Sequence, residues 1–221
     1  MSEAIDFVLH FDAHLLEFLN TYGTTWVYGL LFTIVFAETG FVVTPFLPGD
    51  SLLFAVGMVS AGTGALNPWL SILLLFTAAF AGNAVNYAIG RRIGPKIFSA
   101  TDHTGWLHRL LNRDHLAQAH AFFEQHGGMA VVLGRFVPIV RTFVPFVAGA
   151  AQMTRTSFVL YNLVGAAAWV TLCLGAGVLF GNVPIIKQNF SLATIGIVFV
   201  SLLPILVEYL KRRGQVSPPR A

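Results

Sequence analysis

Apolar residues run along this chain in stretches of unequal length, and the lengths sort the elements. In residues 1–23, Phe7, Phe11, Leu15, Phe18 and Leu19 recur at helical spacing, and the segment also contains Glu3, Asp6, Asp12 and Glu17. That pattern predicts an amphipathic helix lying in an interface, too charged to span a bilayer. Residues 24–37 and 51–61 are apolar, but each falls short of the roughly 20 residues a spanning helix needs. Pro45, Pro48 and Gly49 break the chain between them, so 24–61 reads as a re-entrant helical hairpin. Trp69 to Gly90 is long enough to span. Residues 91–127 are polar and basic. Within them Asp114 has the place of a helix N-cap, Gly127 and Gly128 form a stop, and Leu116, Ala119, Phe122 and Phe123 share one face, which predicts a second interfacial helix over 106–126. Residues 128–153 are apolar and broken by Pro138 and Pro145, a second re-entrant hairpin. Ser157–Gly181 and Ser191–Leu210 read as further spans, and 214–221 as a disordered tail.

The order repeats. Amphipathic helix, hairpin and span occupy about 1–90 and again about 106–181, with an extra span at 191–210, all within one membrane domain over 1–213. Basic residues in short loops favour the cytoplasmic side. Arg91, Arg92, Lys96, Arg109 and Arg113 lie in one loop, and Lys211, Arg212, Arg213 and Arg220 follow the last span, whereas 1–23 and 62–68 have no Lys or Arg. The N-terminus and first hairpin are therefore expected outside, and the second hairpin and C-terminus on the cytoplasmic side. The two halves then enter from opposite faces, an inverted repeat with broken helices of the kind transporters use. The expected fold is all-α and integral to the membrane: two re-entrant hairpins, about three spans, and interfacial helices.

Composition agrees. Of 221 residues, 56% are hydrophobic and 10% charged, and the mean hydropathy is +0.72, against about 25% charged residues in an ordinary soluble domain. The net charge of +3 reflects where the basic residues cluster and gives no reason to expect nucleic-acid binding. No Lys or Arg precedes the first apolar residues, so no cleavable signal peptide is expected. Cys173 is the lone cysteine and reads as a small packing residue.

Charge inside the apolar segments changes the picture. Between Thr21 and Gly90 the only charged residues are Glu38 and Asp50, and between Gly127 and Thr154 only Arg135 and Arg141. A charge at the bilayer centre costs about 2.5–3.5 kcal/mol on insertion scales, so such residues mark a site or pair with one another. Arg135 and Arg141 lie six positions apart. On a straight helix they would diverge by about 120° and lie ~9 Å apart along the axis; a break at Pro138 lets both turn to one ligand. Glu38 and Asp50 would be about 18 Å apart on a continuous helix, and the Pro45/Pro48 turn folds them closer. One reading is a set of structural ion pairs across the hairpins. The other is a site for an anionic headgroup. Arginine suits phosphate because its planar fork binds it at two points and stays charged, and the acids would be proton carriers. The two are compatible if the pairs hold the empty site together. Asn83 and Asn86 share a face of the first span and suit interhelical hydrogen bonding or polar lining.

Other chemistry is weakly signalled. His103, His108, His115, His120 and His126 lack the acids or cysteines of a metal site, so no metal or cofactor is expected. Trp26, Trp69 and Trp106 suit interface anchors. The chain has neither the Arg, Ser and His motifs of a histidine-nucleophile lipid phosphatase nor the aspartate cluster of a phosphatidyltransferase, and no enzymatic activity is expected.

At these residues the chain resembles the DedA family, also called SNARE-associated or VTT-domain proteins. The matching stretches are Glu38-x-Gly40, Phe46-Leu47-Pro48-Gly49-Asp50-Ser51, Gly82-Asn83, Gly90-Arg91-Arg92-Ile93-Gly94, His126-Gly127-Gly128, Gly134-Arg135-Phe136-Val137-Pro138-x-x-Arg141, Ala148-Gly149 through Met153, and Gly165 to Trp169. They cover about residues 30–180. The resemblance implies a lipid transporter of the bacterial cytoplasmic (inner) membrane, carrying undecaprenyl phosphate or phospholipid at the expense of membrane energisation; eukaryotic relatives are scramblases. It also implies that the acids of the first hairpin and the arginines of the second are essential, here Glu38, Asp50, Arg135 and Arg141. An energy-independent scramblase and a non-transporting assembly factor are the competing expectations. Expected partners are thus an anionic lipid and protons.

Overall fold

The computed structural model describes residues 19, 21–41, 49–99 and 121–180, and all of its regular structure is helical. In chain order the helices are α1 (Thr24–Gly40), α2 (Gly49–Thr63), α3 (Pro68–Ser99), α4 (Ala130–Leu133), α5 (Pro138–Ala150) and α6 (Arg155–Phe180). Residues 121–126 are also helical, and 3₁₀ turns flank α4 at Gly127–Met129 and Gly134–Phe136. The N-terminal amphipathic segment (apart from residues 19, 21 and 22), the turn with Pro45 and Pro48, Trp106 and the start of the 106–126 helix, the span 191–210 and the tail 214–221 lie outside the described residues.

Two helices, Pro68–Gly94 within α3 and Arg155–Phe180, are long and apolar enough to cross a membrane. Only 33% of the most apolar stretch of α6 is buried within the protein. Leu160, Leu163, Val164, Leu172 and Leu179 are exposed along it, so it is not the core helix of a soluble domain. Trp26 and Trp69 are 70% and 79% exposed, as interface anchors would be.

The expected break at Pro138 is present. Val137 is extended (φ −110°, ψ 108°) and Pro138 occupies the first turn of α5, where its missing N–H costs nothing. Pro145 is a correction: it lies inside α5, which continues to Ala150, and it does not break the chain. Gly49 opens α2, with Asp50 in the first turn, a favourable place for a carboxylate beside the positive helix end. The first span also runs on past Gly90 to Ser99. Gly90 and Gly94 are packing positions: a Cβ on Gly90 would strike the Phe146 carbonyl, and one on Gly94 would strike Ala150.

Packing follows a crossed scheme. α1 lies on α3, but α2 packs on α6, and the two hardly touch each other. In the second half α4 lies on α6, but α5 packs on α3. Each long helix thus carries the first short helix of its own half and the second of the other. Glycines make both crossed contacts close. Gly57 of α2 faces Gly177 of α6, and Gly149 of α5 faces the backbone of Tyr87 and Gly90 of α3. Two apolar clusters result. One joins Val27, Leu31, Leu53, Val56, Leu75 and Leu174; the other joins Ala130, Val131, Phe143, Val147, Phe146 and Phe158.

Candidate functional site

Three short-helix ends meet between these clusters: the C-terminal end of α1 with Glu38, the start of α2 with Asp50, and the start of α5 with Arg141. Arg141 Nη1 donates to Asp50 Oδ1 at 2.7 Å, and Nη2 forms an ion pair with Glu38 Oε1. One guanidinium therefore bridges both acids. Glu38 is 1% exposed, so this pair sits in a low-dielectric setting where a missing partner is costly. The Trp169 indole of α6 donates to the same Asp50 oxygen at 2.8 Å, and the Arg141 guanidinium lies 5.7 Å from the Trp169 ring centroid, a cation–π distance.

Arg135 is brought near but kept apart. It is 4% exposed, and among the described residues no carboxylate lies within ion-pair distance. Its Nη2 donates to Asn162 Oδ1 at 2.6 Å and, weakly, to the Ala79 carbonyl at 3.5 Å. Its guanidinium carbon is 6.0 Å from the Trp169 ring, on which both arginines therefore converge. Its Nε–H is buried with no partner among the described residues. Gly165 of α6 leaves room for the side chain, since a Cβ there would come within 3.1 Å of Arg135 Cδ. Glu38, Thr39, Asn83, Arg135, Arg141, Thr142 and Trp169 enclose a cavity of about 10 Å³, room for a single water.

The asparagines hold helices together. Asn83 Nδ2 donates to Asn162 Oδ1 at 3.2 Å, and Asn162 Nδ2 donates to the Phe80 carbonyl at 3.0 Å. Asn86 Nδ2 reaches two carbonyls, Thr142 at 2.7 Å and Thr39 at 3.2 Å. Asn83 also lines the cavity, so for it bonding and lining coincide. The crossed scheme recurs here. Trp169, four positions after Gly165, binds Asp50 at the head of α2. Asn86, four after Gly82, binds Thr142 near the head of α5.

Asn162 and the site roles of Trp169, Thr39 and Thr142 were not among the sequence expectations. Asn162 had a usable signal as a carboxamide in an apolar span, as Asn83 and Asn86 are, though without a second one on its face. The pairing itself was also left open: Arg141 takes both acids and Arg135 takes none. Among the described residues no group of three or more His, Cys, Asp and Glu could hold a metal ion.

Comparison with known proteins gives the family. Residues 47–179 match the VTT domain. The chain is 48% identical over 210 residues to Protein DedA of Escherichia coli K12, covering 95% of this chain and 93% of that protein. It is 41% identical over 195 residues to an uncharacterized membrane protein of Mycobacterium tuberculosis H37Rv (86% and 81% covered). Inner membrane protein YqjA of Escherichia coli K12 is 36% identical over 159 residues (72% and 70% covered). No solved structure matches. With this coverage at nearly half identity, and a site built from the residues through which its sequence resembles that family, the chain belongs to the DedA family of membrane proteins.

Proposed function

We propose that this protein moves a phosphate-bearing lipid, undecaprenyl phosphate, across the cytoplasmic membrane with the help of the proton gradient. Arg135 and Arg141 hold the phosphate, and Glu38 and Asp50 carry or gate protons. α1 with α2, and the 121–136 segment with α5, are read as re-entrant hairpins entering from opposite faces, the first from outside. The observation that carries the proposal is Arg135: a buried guanidinium with no carboxylate partner and an unused N–H, beside a second arginine occupied by two acids. A buried cation without an anion is costly, and a phosphate at this cavity would supply the missing charge and hydrogen-bond acceptors.

The arrangement suggests the coupling. While both acids are ionised they hold Arg141. Once protonated they release it, and Arg141 can turn with Arg135 to one phosphate. Moving one negative charge to the negative side of the membrane costs about 2.3 kcal/mol per 100 mV, which protons travelling with the phosphate offset. The cavity of about 10 Å³ is too small for a phosphate, so this is the closed form, and hairpin movement must open it.

The test is reconstitution into liposomes with undecaprenyl phosphate, phosphatidylethanolamine or phosphatidylglycerol, with and without an imposed pH gradient. Gradient-dependent movement of the polyprenyl phosphate, lost in Arg135→Ala and Arg141→Ala variants that fold normally, is the expected result. Equal movement of phospholipids without a gradient would replace this reading with a scramblase. Movement of none would favour an assembly role.

A further inference from the structure

A second cluster of arginines lies away from the central site. Arg91 and Arg92 of α3 and Arg155 at the start of α6 face one groove of about 250 Å³. Ala88, Phe158 and Val159 give it an apolar wall. Among the described residues no acidic side chain lines it. Arg91 is fixed in place: its Nη1 donates to Tyr87 Oη at 2.7 Å and to the Met153 carbonyl at 2.8 Å, and its guanidinium carbon lies 6.0 Å from the Tyr87 ring centroid. Tyr87 Oη itself donates to the Met153 carbonyl. Arg92 and Arg155 are exposed, with their long side chains free to close on a ligand. α6 begins at Arg155, so its positive helix end adds to the same field.

Unattached arginines at the end of a membrane span commonly do no more than reach the headgroup layer. Three features set this groove apart. One arginine is pre-positioned by two bonded groups, three cations converge on a single cavity, and the wall beside them is apolar. Charge alone would suit any anion; charge over an apolar wall suits one with a hydrocarbon tail. The geometry points to a binding site for the phosphate headgroup of an anionic membrane lipid, with Arg91, Arg92 and Arg155 around the phosphate and the first methylenes against Phe158 and Val159. Read with the loop charges, it opens to the cytoplasmic leaflet. The site does not depend on the transport reading: the lipid it holds need not be the one that is moved.

The experiment uses the full chain purified in detergent and native mass spectrometry with equal amounts of phosphatidylglycerol and phosphatidylcholine. Arg92→Gln/Arg155→Gln is the test variant, because neither side chain bonds to the described protein and the Arg91 bonds are left in place. Arg135→Gln is the control at the central site. The wild type and Arg135→Gln should hold phosphatidylglycerol in preference to phosphatidylcholine. The double variant should hold it about fivefold to tenfold less, with thermal melting unchanged. Inorganic phosphate at millimolar concentration should not displace the lipid, since it has nothing to set against the apolar wall. Unchanged retention in the double variant, or loss in Arg135→Gln alone, would overturn the site. Displacement by inorganic phosphate would overturn its assignment to a lipid. Failure of the transport assay would leave all of these readouts standing, so the two readings fall separately.

Discussion

Glu38 and Asp50 are brought together on the same guanidinium, and this decides what substitutions there should do. Arg141→Gln leaves two acids facing each other in a buried site, a loss of about 3–5 kcal/mol when a buried pair is broken from one side. Melting of the purified protein should fall accordingly. The neutral triple variant Glu38→Gln/Asp50→Asn/Arg141→Gln should regain most of that stability while transport stays absent. Little recovery would mean that the cluster is not held by these pairs. Asn162 offers a separate handle. Asn162→Ala removes the strongest partner of Arg135 and should cost about 1–3 kcal/mol. Asn162→Asp gives Arg135 the carboxylate it lacks, so it should fold well and yet lose the proposed movement of the polyprenyl phosphate; full movement in that variant would show that Arg135 need not be free. The four charges were legible because ionised groups in apolar segments are too costly to be incidental. Their partition was not, since it depends on which helix ends meet across the fold. Trp169 escaped notice as a site residue because tryptophan in a span reads as packing or interface surface until its indole N–H is seen on Asp50.

Helix contacts show what residue types alone conceal. Gly57 meets Gly177, and Gly149 meets the α3 backbone, with no room for a Cβ at either place. Gly57→Val and Gly149→Val should each destabilise by about 1–3 kcal/mol through overpacking, and by similar amounts because the two contacts correspond in the crossed scheme. Gly29→Ala and Gly175→Ala, where an added Cβ meets nothing, should be neutral or slightly stabilising through helix propensity. A reversed order in thermal melting would refute the packing argument. Run lengths and prolines placed the helices well, and Pro138 breaks the chain as expected. Pro145 did not: it lies inside α5, which runs on to Ala150. Its missing N–H leaves the Arg141 carbonyl, four positions earlier, without its usual helical donor, and Asn86 donates to the next carbonyl along. Gly90, where the apolar span was expected to end, lies inside α3 at a point where another helix comes close.

For the whole molecule, the proposed opposite entry of the two halves makes a prediction that needs no lipid. In a Cys173→Ala background, Ala65→Cys between α2 and α3 should react with a membrane-impermeant maleimide in intact cells. Ala151→Cys between α5 and α6 should react only after permeabilisation. Labelling of both from one side would end the inverted-repeat reading. The order of elements that suggests a repeat was visible in the sequence, but the exchange of short helices between the two halves of the chain was not, because it is a matter of contacts between segments distant in sequence. Asn86 makes that exchange mechanical. A single carboxamide ties the carbonyl of Thr39, at the end of α1, to that of Thr142, near the head of α5. It is a rivet between the halves, set in α3 of the first. Any working stroke that slides one half past the other must break its bond to Thr142; a stroke that spares both bonds must swing α1 and α5 as one lever about α3. Asn86→Ala would free the two to move separately, and the distance between spin labels on α1 and α5 should then broaden, whereas a distribution as narrow as the wild type's would place the fulcrum elsewhere.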